Sequence, residues 1–230
     1  MSSDREELFQ LCQQYLQKNN LEDFELLEEN NILYVIDPEG RELSIDFDDN
    51  KKDYARKNKQ GGQELLIKAL SGEKKCRNIL DLTAGLAIDA VFLSQCDFQV
   101  TALERNPVLY FLLTQALENT QRSDLSELRF IHSDSAQFLK NLTEDHFYQV
   151  AYFDPMYPDK KKTALPRKEM QIFKELVGRD ADSQEVLQLA LSKNFQRVIV
   201  KRPLKSEFLL PGVIHSFKGT TVRYDLYVPR

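Results

Sequence analysis

The 230-residue sequence has no tryptophan and only three cysteines, Cys12, Cys76 and Cys96. Thiols this few and this scattered exclude a disulfide framework, and no pair has the C-x-x-C spacing of a zinc site. Buried or idle thiols in a reducing compartment are the expectation. Three histidines, His132, His146 and His215, give no metal-ligand spacing either, so no metal is expected. No apolar run reaches the ~20 residues a membrane span needs. The opening MSSDREELFQ is too acidic for a signal peptide, which points to a cytoplasmic protein. Eight glycines and eight prolines are too few for a collagenous or low-complexity chain. What is present is an ordinary globular composition, 42% hydrophobic and 29% charged. The length suits one good-sized domain with a small appendage.

Basic charge is scarce at the start. Residues 1–50 hold 14 acidic and 3 basic side chains, which leaves 22 acids and 28 bases for residues 51–230. Such asymmetry points to a charged partner, although charge also fluctuates along any chain. Leu8, Leu11, Cys12, Tyr15 and Leu16 recur at helical spacing and predict a helix over 4–18. Residues 31–36 and 42–47 read as two strands around the turn Asp37-Pro38-Glu39-Gly40. A polar, basic stretch closed by Gly61 and Gly62 follows. The chain therefore divides into a small acidic N-terminal α+β unit with a basic linker, residues 1–60, and a main domain, residues 61–230.

In the main domain strands and helices alternate. Strands are predicted over 78–82, 98–103, 128–131, 149–153 and 197–200, with helices over 89–94, 107–120, 166–177 and 183–192. Asn106-Pro107 supplies an N-cap and a proline at the first helical position, and Asp182 with Glu185 reads as a capping box. Residues 213–217 and 222–228 close the chain as a β-hairpin. Repeated β-α-β units imply an α/β fold, a mostly parallel sheet with helices on both faces and a C-terminal antiparallel hairpin.

Ligands of such sheets bind beyond the carboxyl ends of the strands, near the point where the strand order reverses. The first strand ends in Asp81-Leu82-Thr83-Ala84-Gly85-Leu86-Ala87-Ile88-Asp89. Small residues allow a tight turn toward a ligand, and Asp81 or Asp89 can accept hydrogen bonds; with one glycine the turn is not a G-x-G-x-x-G phosphate cradle. An ordinary strand-to-helix turn is the plain alternative. The second strand ends in Glu104, at the distance where an α/β cofactor domain places an acid on ribose hydroxyls. A nucleoside cofactor follows, either NAD or S-adenosylmethionine (SAM). The fourth strand decides between them. It ends in Asp154-Pro155-Met156-Tyr157-Pro158, similar to the D/N-P-P-F/Y loop of amino-directed methyltransferases, with Met156 in place of the second proline. In such a loop the carboxylate and the proline carbonyl accept the two N–H bonds of an exocyclic amine, while the aromatic ring stacks on the extruded base.

The set LDLTAGLAIDA, LERNP, IHSDS, YFDPMYPDKKKTAL and VIVKRP resembles the RsmJ family, bacterial small-subunit ribosomal RNA guanine-N2 methyltransferases. The match covers about residues 60–228. The resemblance implies a Rossmann-like SAM-dependent methyltransferase fold, SAM as cofactor with S-adenosyl-L-homocysteine as product, and 16S ribosomal RNA or the small ribosomal subunit as partner. It implies cofactor contacts at Ile88, Asp89, Glu104, Arg105, Asp134, Ser135 and Asp154, alongside Asp81 and Gly85 of the first turn. Asp154, Pro155 and Tyr157 would be catalytic. The chain departs from the family in two places: Ala87-Ile88-Asp89 stands where members have Gly-Arg-Asp, and Asp134 where serine is common.

Basic residues cluster over 51–59, 160–168 and 193–205. The second and third lie beside the catalytic loop and at a strand end. Lys160, Lys161, Lys162, Arg167, Lys168, Lys201 and Arg202 are therefore the expected RNA-phosphate contacts, against the plain alternative of a solvated face. His132, after an apolar strand, is expected to be structural. The function expected is methyl transfer to guanine N2 of 16S ribosomal RNA. Its rivals are adenine-N6 or DNA methylation, and a non-catalytic RNA-binding module on the same fold.

Overall fold

The computed structural model describes residues 3–49, 62–71, 76–156, 168–178 and 181–229. Helix α1 (Ser3–Lys18) buries Cys12 and Leu16. Three antiparallel strands follow, β1 (Glu25–Glu29), β2 (Ile32–Ile36) and β3 (Glu42–Ser44). Hydrophobic patterning predicts the last two, with β3 ending earlier than expected. It misses β1 because three of that strand's five residues are glutamates; the strand lies at the sheet edge, where exposed charge discourages pairing with another chain. The turn between β2 and β3 forms as predicted. The Asp37 carboxylate accepts the amides of Glu39 and Arg41 at 3.0 and 2.8 Å, and Gly40 takes the left-handed conformation, φ +71°.

Helix α2 (Gly62–Ser71), which no signal above predicts, buries Leu66, Ala69 and Leu70. The main sheet then assembles from β4 (Asn78–Asp81), β5 (Gln99–Glu104), β6 (Leu128–His132), β7 (Val150–Phe153), β8 (Arg197–Pro203), β9 (His215–Lys218) and β10 (Val222–Tyr227). Its order is β6-β5-β4-β7-β8-β10-β9. The first five are parallel, and the hairpin β9–β10 joins antiparallel through β10 against β8. Alternate residues feed two cores, as the period of a strand requires. Ile79, Ala102, Tyr152 and Ile199 pack into one, with α3 (Ile88–Gln95), α4 (Pro107–Asn119) and α6 (Lys168–Val177). Leu80, Leu103, Phe153 and Val200 pack into the other, with α5 (Ser135–Asn141) and α7 (Ser183–Leu191).

Helix α4 starts as its sequence predicts, the Asn106 side chain accepting from the amides of Val108 and Leu109. The capping box of α7 does not form. Asp182 makes no side-chain cap bond; its carboxylate pairs with Arg105 at 3.1 Å and Glu185 pairs with Lys140 at 2.9 Å. Charged partners on neighbouring elements offer these acids stronger hydrogen bonds than the helix's own amides do.

The N-terminal strands form their own sheet but share the main core. Cys12, Leu16, Leu33 and Val35 belong to the apolar cluster that contains Leu109 and Ile172. The Tyr15 hydroxyl donates to the Leu176 carbonyl at 2.7 Å, and Arg41 donates to Gln171 and Glu175. The N-terminal unit thus braces α6, and α6 walls the site described next.

Candidate active site

The strand order reverses between β4 and β7, which leaves a crevice beyond their carboxyl ends. Asp81 ends β4 and is buried, its Oδ1 accepting the Thr83 amide at 2.9 Å. Burial, with Asp89 and Asp154 nearby, pushes its carboxyl up to about 8. The chain then turns through Gly85 and Ala87, both left-handed at φ +53° and +57°. An L-residue in that region costs ~1–2 kcal/mol, so Ala87 holds the turn at a cost that a glycine would not carry.

Glu104 ends β5 with its side chain turned into this loop. Its Oε2 accepts the Gly85 amide at 2.9 Å and its Oε1 the Asn106 amide at 2.8 Å. The two bonds fix the carboxylate's orientation, and the side chain lines the cavity described below. The same geometry commits the Gly85 amide to a protein acid, so it does not cradle a phosphate.

Asp154 follows β7. Its backbone amide donates to Thr83 Oγ1 at 2.8 Å, tying the two strand ends together. Its carboxylate lies 2.9 Å from Lys201 Nζ, and the same ammonium lies 2.7 Å from Asp89 Oδ2. Asp89 also accepts the Tyr152 hydroxyl at 2.6 Å. Burial alone would pull the Lys201 ammonium down, but Asp154 and Asp89 hold it well above the usual lysine range. Burial first, then the same two carboxylates, push Tyr152 well above the usual phenol value. Lysine is therefore the proton-bearing cation of the group and tyrosine a neutral donor.

These residues open on one cavity of about 400 Å³, a size suited to a small cofactor. Asp81, Gly85, Ile88, Asp89, Glu104, Arg105, Asp134, Ser135, Asp154 and Pro155 all line it. Asp134 also caps α5, accepting the Gln137 amide at 3.0 Å, and the Ser135 hydroxyl donates to the Leu82 carbonyl. Sequence reasoning passes over Thr83, Tyr152 and the α6 residues Met170 and Phe173 that complete the wall. A signal for Tyr152 exists: it lies two residues before Asp154 and so shares its strand face.

Of the five bases in the third cluster, Lys205 is exposed and the other four are engaged by the protein itself. Lys201 is held between two carboxylates inside the cavity. Arg202 is 6% exposed, with Nη2 donating to the Glu207 carbonyl at 3.0 Å. Lys193 and Arg197 donate to the carbonyls of Leu142 and Ala69. Short-range charge counting cannot see that β8 is covered on both faces, so that consecutive side chains point into the protein. Tyr157, Lys160, Lys161, Lys162, Arg167 and the 51–59 cluster lie outside the described residues, as does the side chain of Lys168. His132, exposed at the end of β6, stacks on Tyr110 with ring centroids 5.2 Å apart, and its Nε2 lies 3.2 Å from the Arg105 carbonyl.

Beside the neutral Asp81, the lining carries five acids, Asp89, Glu104, Asp134, Asp154 and Asp182, against the bases Arg105, Lys201 and Arg202. An acidic cavity disfavours a pyrophosphate and favours a cation such as a sulfonium. That separates the two nucleoside cofactors: the residues present fit SAM and not NAD. Among the described residues, no group of three or more His, Cys, Asp or Glu side chains could hold a metal ion.

Fold and cavity together are those of a SAM-dependent methyltransferase. The family model SAM_MT, described as a SAM-dependent methyltransferase, matches residues 10–229. A crystal structure of a SAM-dependent methyltransferase from Neisseria gonorrhoeae superposes with a TM-score of 0.70 at 27% identity, covering 89% of this chain and 82% of that one. The chain is 51% identical to ribosomal RNA small subunit methyltransferase J of Bdellovibrio bacteriovorus, over 85% of this chain and 78% of that protein. It is 39% identical to the protein of the same name from Legionella pneumophila strain Lens, over 83% and 79% of the two chains. The chain belongs to the ribosomal RNA small subunit methyltransferase J family.

Proposed function

We propose that this chain transfers a methyl group from SAM to the exocyclic N2 of a guanine in 16S ribosomal RNA. The observation that carries the reading is the opening of Glu104 and Asp154, from strands on either side of β4, onto one acidic cavity. A binding module without turnover has no use for a cofactor acid facing a base-holding acid. The names of the relatives support a ribosomal substrate, and with it a cytoplasmic reaction. Among the described residues no helix is long and apolar enough to cross a membrane.

In this reading Glu104 accepts from the ribose hydroxyls and Asp134 from the adenine amine, with Ser135 beside it. Asp81, Gly85, Ile88, Asp89 and Arg105 complete the cofactor wall. A guanine amine is a weak nucleophile because its lone pair is delocalised into the ring. Asp154 and the Pro155 carbonyl accept its two N–H bonds and aim the nitrogen, while the Tyr157 ring stacks on the base. Bound SAM would supply a methyl on a sulfonium: as nitrogen forms the new N–C bond the C–S electron pair would stay on sulfur, and the proton that nitrogen loses would pass to the Asp154 carboxylate that holds it. Positive charge grows on nitrogen as it attacks, so Asp154 binds the transition state more strongly than the ground state. Lys160, Lys161, Lys162, Arg167 and Lys168 follow the loop directly and are the proposed phosphate contacts, with the 51–59 cluster as a second basic segment.

The test is transfer of label from methyl-labelled SAM to 16S RNA and to small-subunit particles. The wild-type chain should label one of them. Asp154→Ala should lose ~10²–10³ in turnover while calorimetry shows much of the SAM affinity retained. A folded wild-type chain that labels neither substrate would overturn the proposal.

A further inference from the structure

Asp89 comes from the first turn of α3 and Asp154 from the loop after β7, so they belong to the cofactor wall and the amine-holding loop respectively. The structure joins them through one side chain. Lys201 Nζ lies 2.7 Å from Asp89 Oδ2 and 2.9 Å from Asp154 Oδ2. The register explains the placement. Phe153 pairs with Val200 in the parallel β7–β8 ladder, so Lys201 emerges beside Asp154. On its other side Lys201 pairs with Tyr224 of β10. The Tyr152 hydroxyl donates to the same Asp89 oxygen and fixes that acid from the sheet side. Side-chain exposures of 22% for Lys201, 17% for Asp89 and 38% for Asp154 leave the group largely screened from solvent.

We propose that Lys201 is a positioning residue of the methyl-transfer site, a clamp that couples the cofactor-side acid Asp89 to the amine-holding acid Asp154. The inference rests on the methyltransferase reading above. Without the ammonium, two carboxylates would face one another with Asp81 behind them, and two such acids do not both stay ionised. With it, each carboxylate has the same counter-ion, at 2.7 and 2.9 Å, and the loop carboxylate is held in one orientation. Misplacing a reacting group by about 1 Å costs roughly 10²-fold in rate. The titratable groups facing the ammonium are Asp81 of β4, Asp89 of α3, Tyr152 of β7, Asp154 after it, and Tyr224 of β10.

Three variants of the full chain, Lys201→Met, Lys201→Arg and Asp89→Asn, test it with two readouts. Turnover at saturating SAM is followed against pH, and aspartate carboxyl ¹³C shifts are titrated by NMR in the unliganded protein. Lys201→Met should lower turnover about 10²-fold. In the same variant one carboxyl of the Asp89–Asp154 pair should take up a proton ~1–3 pH units higher than in wild type, and the acid limb of turnover should rise with it. Lys201→Arg keeps the cation and should return both towards wild type. Asp89→Asn gives Asp154 the ammonium alone, so its acid limb should move down; this variant keeps the test decisive if Lys201→Met does not fold. Acid limbs and carboxyl titrations that stay in place in every variant that folds would overturn the clamp, even if Lys201→Met loses turnover evenly at all pH values. An active wild type with a dead Asp154→Ala and an unaffected Lys201→Met would overturn the clamp alone, whereas an inactive wild type would overturn the methyltransferase reading itself.

Discussion

Replacing Glu104 by glutamine perturbs the fold and the cofactor site in one step, and the two effects can be separated. The carboxylate is 6% exposed and accepts two backbone amides, from Gly85 at 2.9 Å and Asn106 at 2.8 Å. Glutamine keeps one acceptor oxygen and turns an NH₂ group toward the other amide, so two donors face each other where a charge-assisted bond stood. A hydrogen bond to a charged group is worth ~1.5–3 kcal/mol, and the unfolding free energy should fall by that amount. At roughly 2–4 °C per kcal/mol for a chain of this size, the melting temperature should drop ~3–12 °C. The ribose loses a charged acceptor at the same time, which should weaken SAM roughly ten- to hundredfold. Thermal melts with and without S-adenosylhomocysteine, together with calorimetry, measure both. An unchanged melting temperature would refute the amide clamp, and an unchanged affinity would refute the ribose assignment.

Asp81→Asn replaces a buried acid, neutral up to about pH 8, by a near-isostere that keeps the acceptor for Thr83 and a donor. Because the folded-state value lies above the unfolded one near 4, the native state holds the proton that the unfolded chain releases, and wild-type stability falls as pH rises between those values. The variant lacks this contribution, so between pH 5 and 7 its unfolding free energy should fall less steeply, by up to about 1.4 kcal/mol per pH unit; parallel curves would refute the buried neutral carboxyl. The triple variant Lys160/161/162→Ala should bind RNA more weakly and with a flatter salt dependence at unchanged SAM affinity; a wild-type salt slope would make these lysines solvated surface. Tyr157→Phe should be nearly harmless and Tyr157→Ala damaging to turnover, because stacking needs the ring and not the hydroxyl; equal turnover in both would remove the stacking role.

Much of the architecture is legible in the sequence because buried parallel strands are short apolar runs. Asn78–Asp81, Leu128–His132 and Val150–Phe153 stand out for that reason. Glu104 and Asp154 are legible as candidates because a polar residue closing an apolar strand of such a sheet points to the ligand edge. Two of the failures share a cause, namely that partners distant in sequence decide the outcome. Asp182 and Glu185 have a capping-box pattern, yet Arg105 and Lys140 claim their carboxylates. Lys201 and Arg202 look like surface charge in VIVKRP, yet the β7–β8 register and the packing of residues 203–207 draw both inside. The edge strand Glu25–Glu29 is masked by its own acids, the feature that suits it to the sheet edge.

The most direct test of the central claim is the identity of the modified nucleoside. Small-subunit RNA lacking the modification is incubated with the purified chain and SAM, digested to nucleosides and resolved by mass spectrometry against the Asp154→Ala control. The reading of Asp154 and Pro155 as acceptors for a guanine amine predicts N2-methylguanosine with the wild-type chain and a loss of about 10²–10³ in its rate of formation with the variant. N6-methyladenosine in its place, or the same N2-methylguanosine from Asp154→Ala at the wild-type rate, would contradict it.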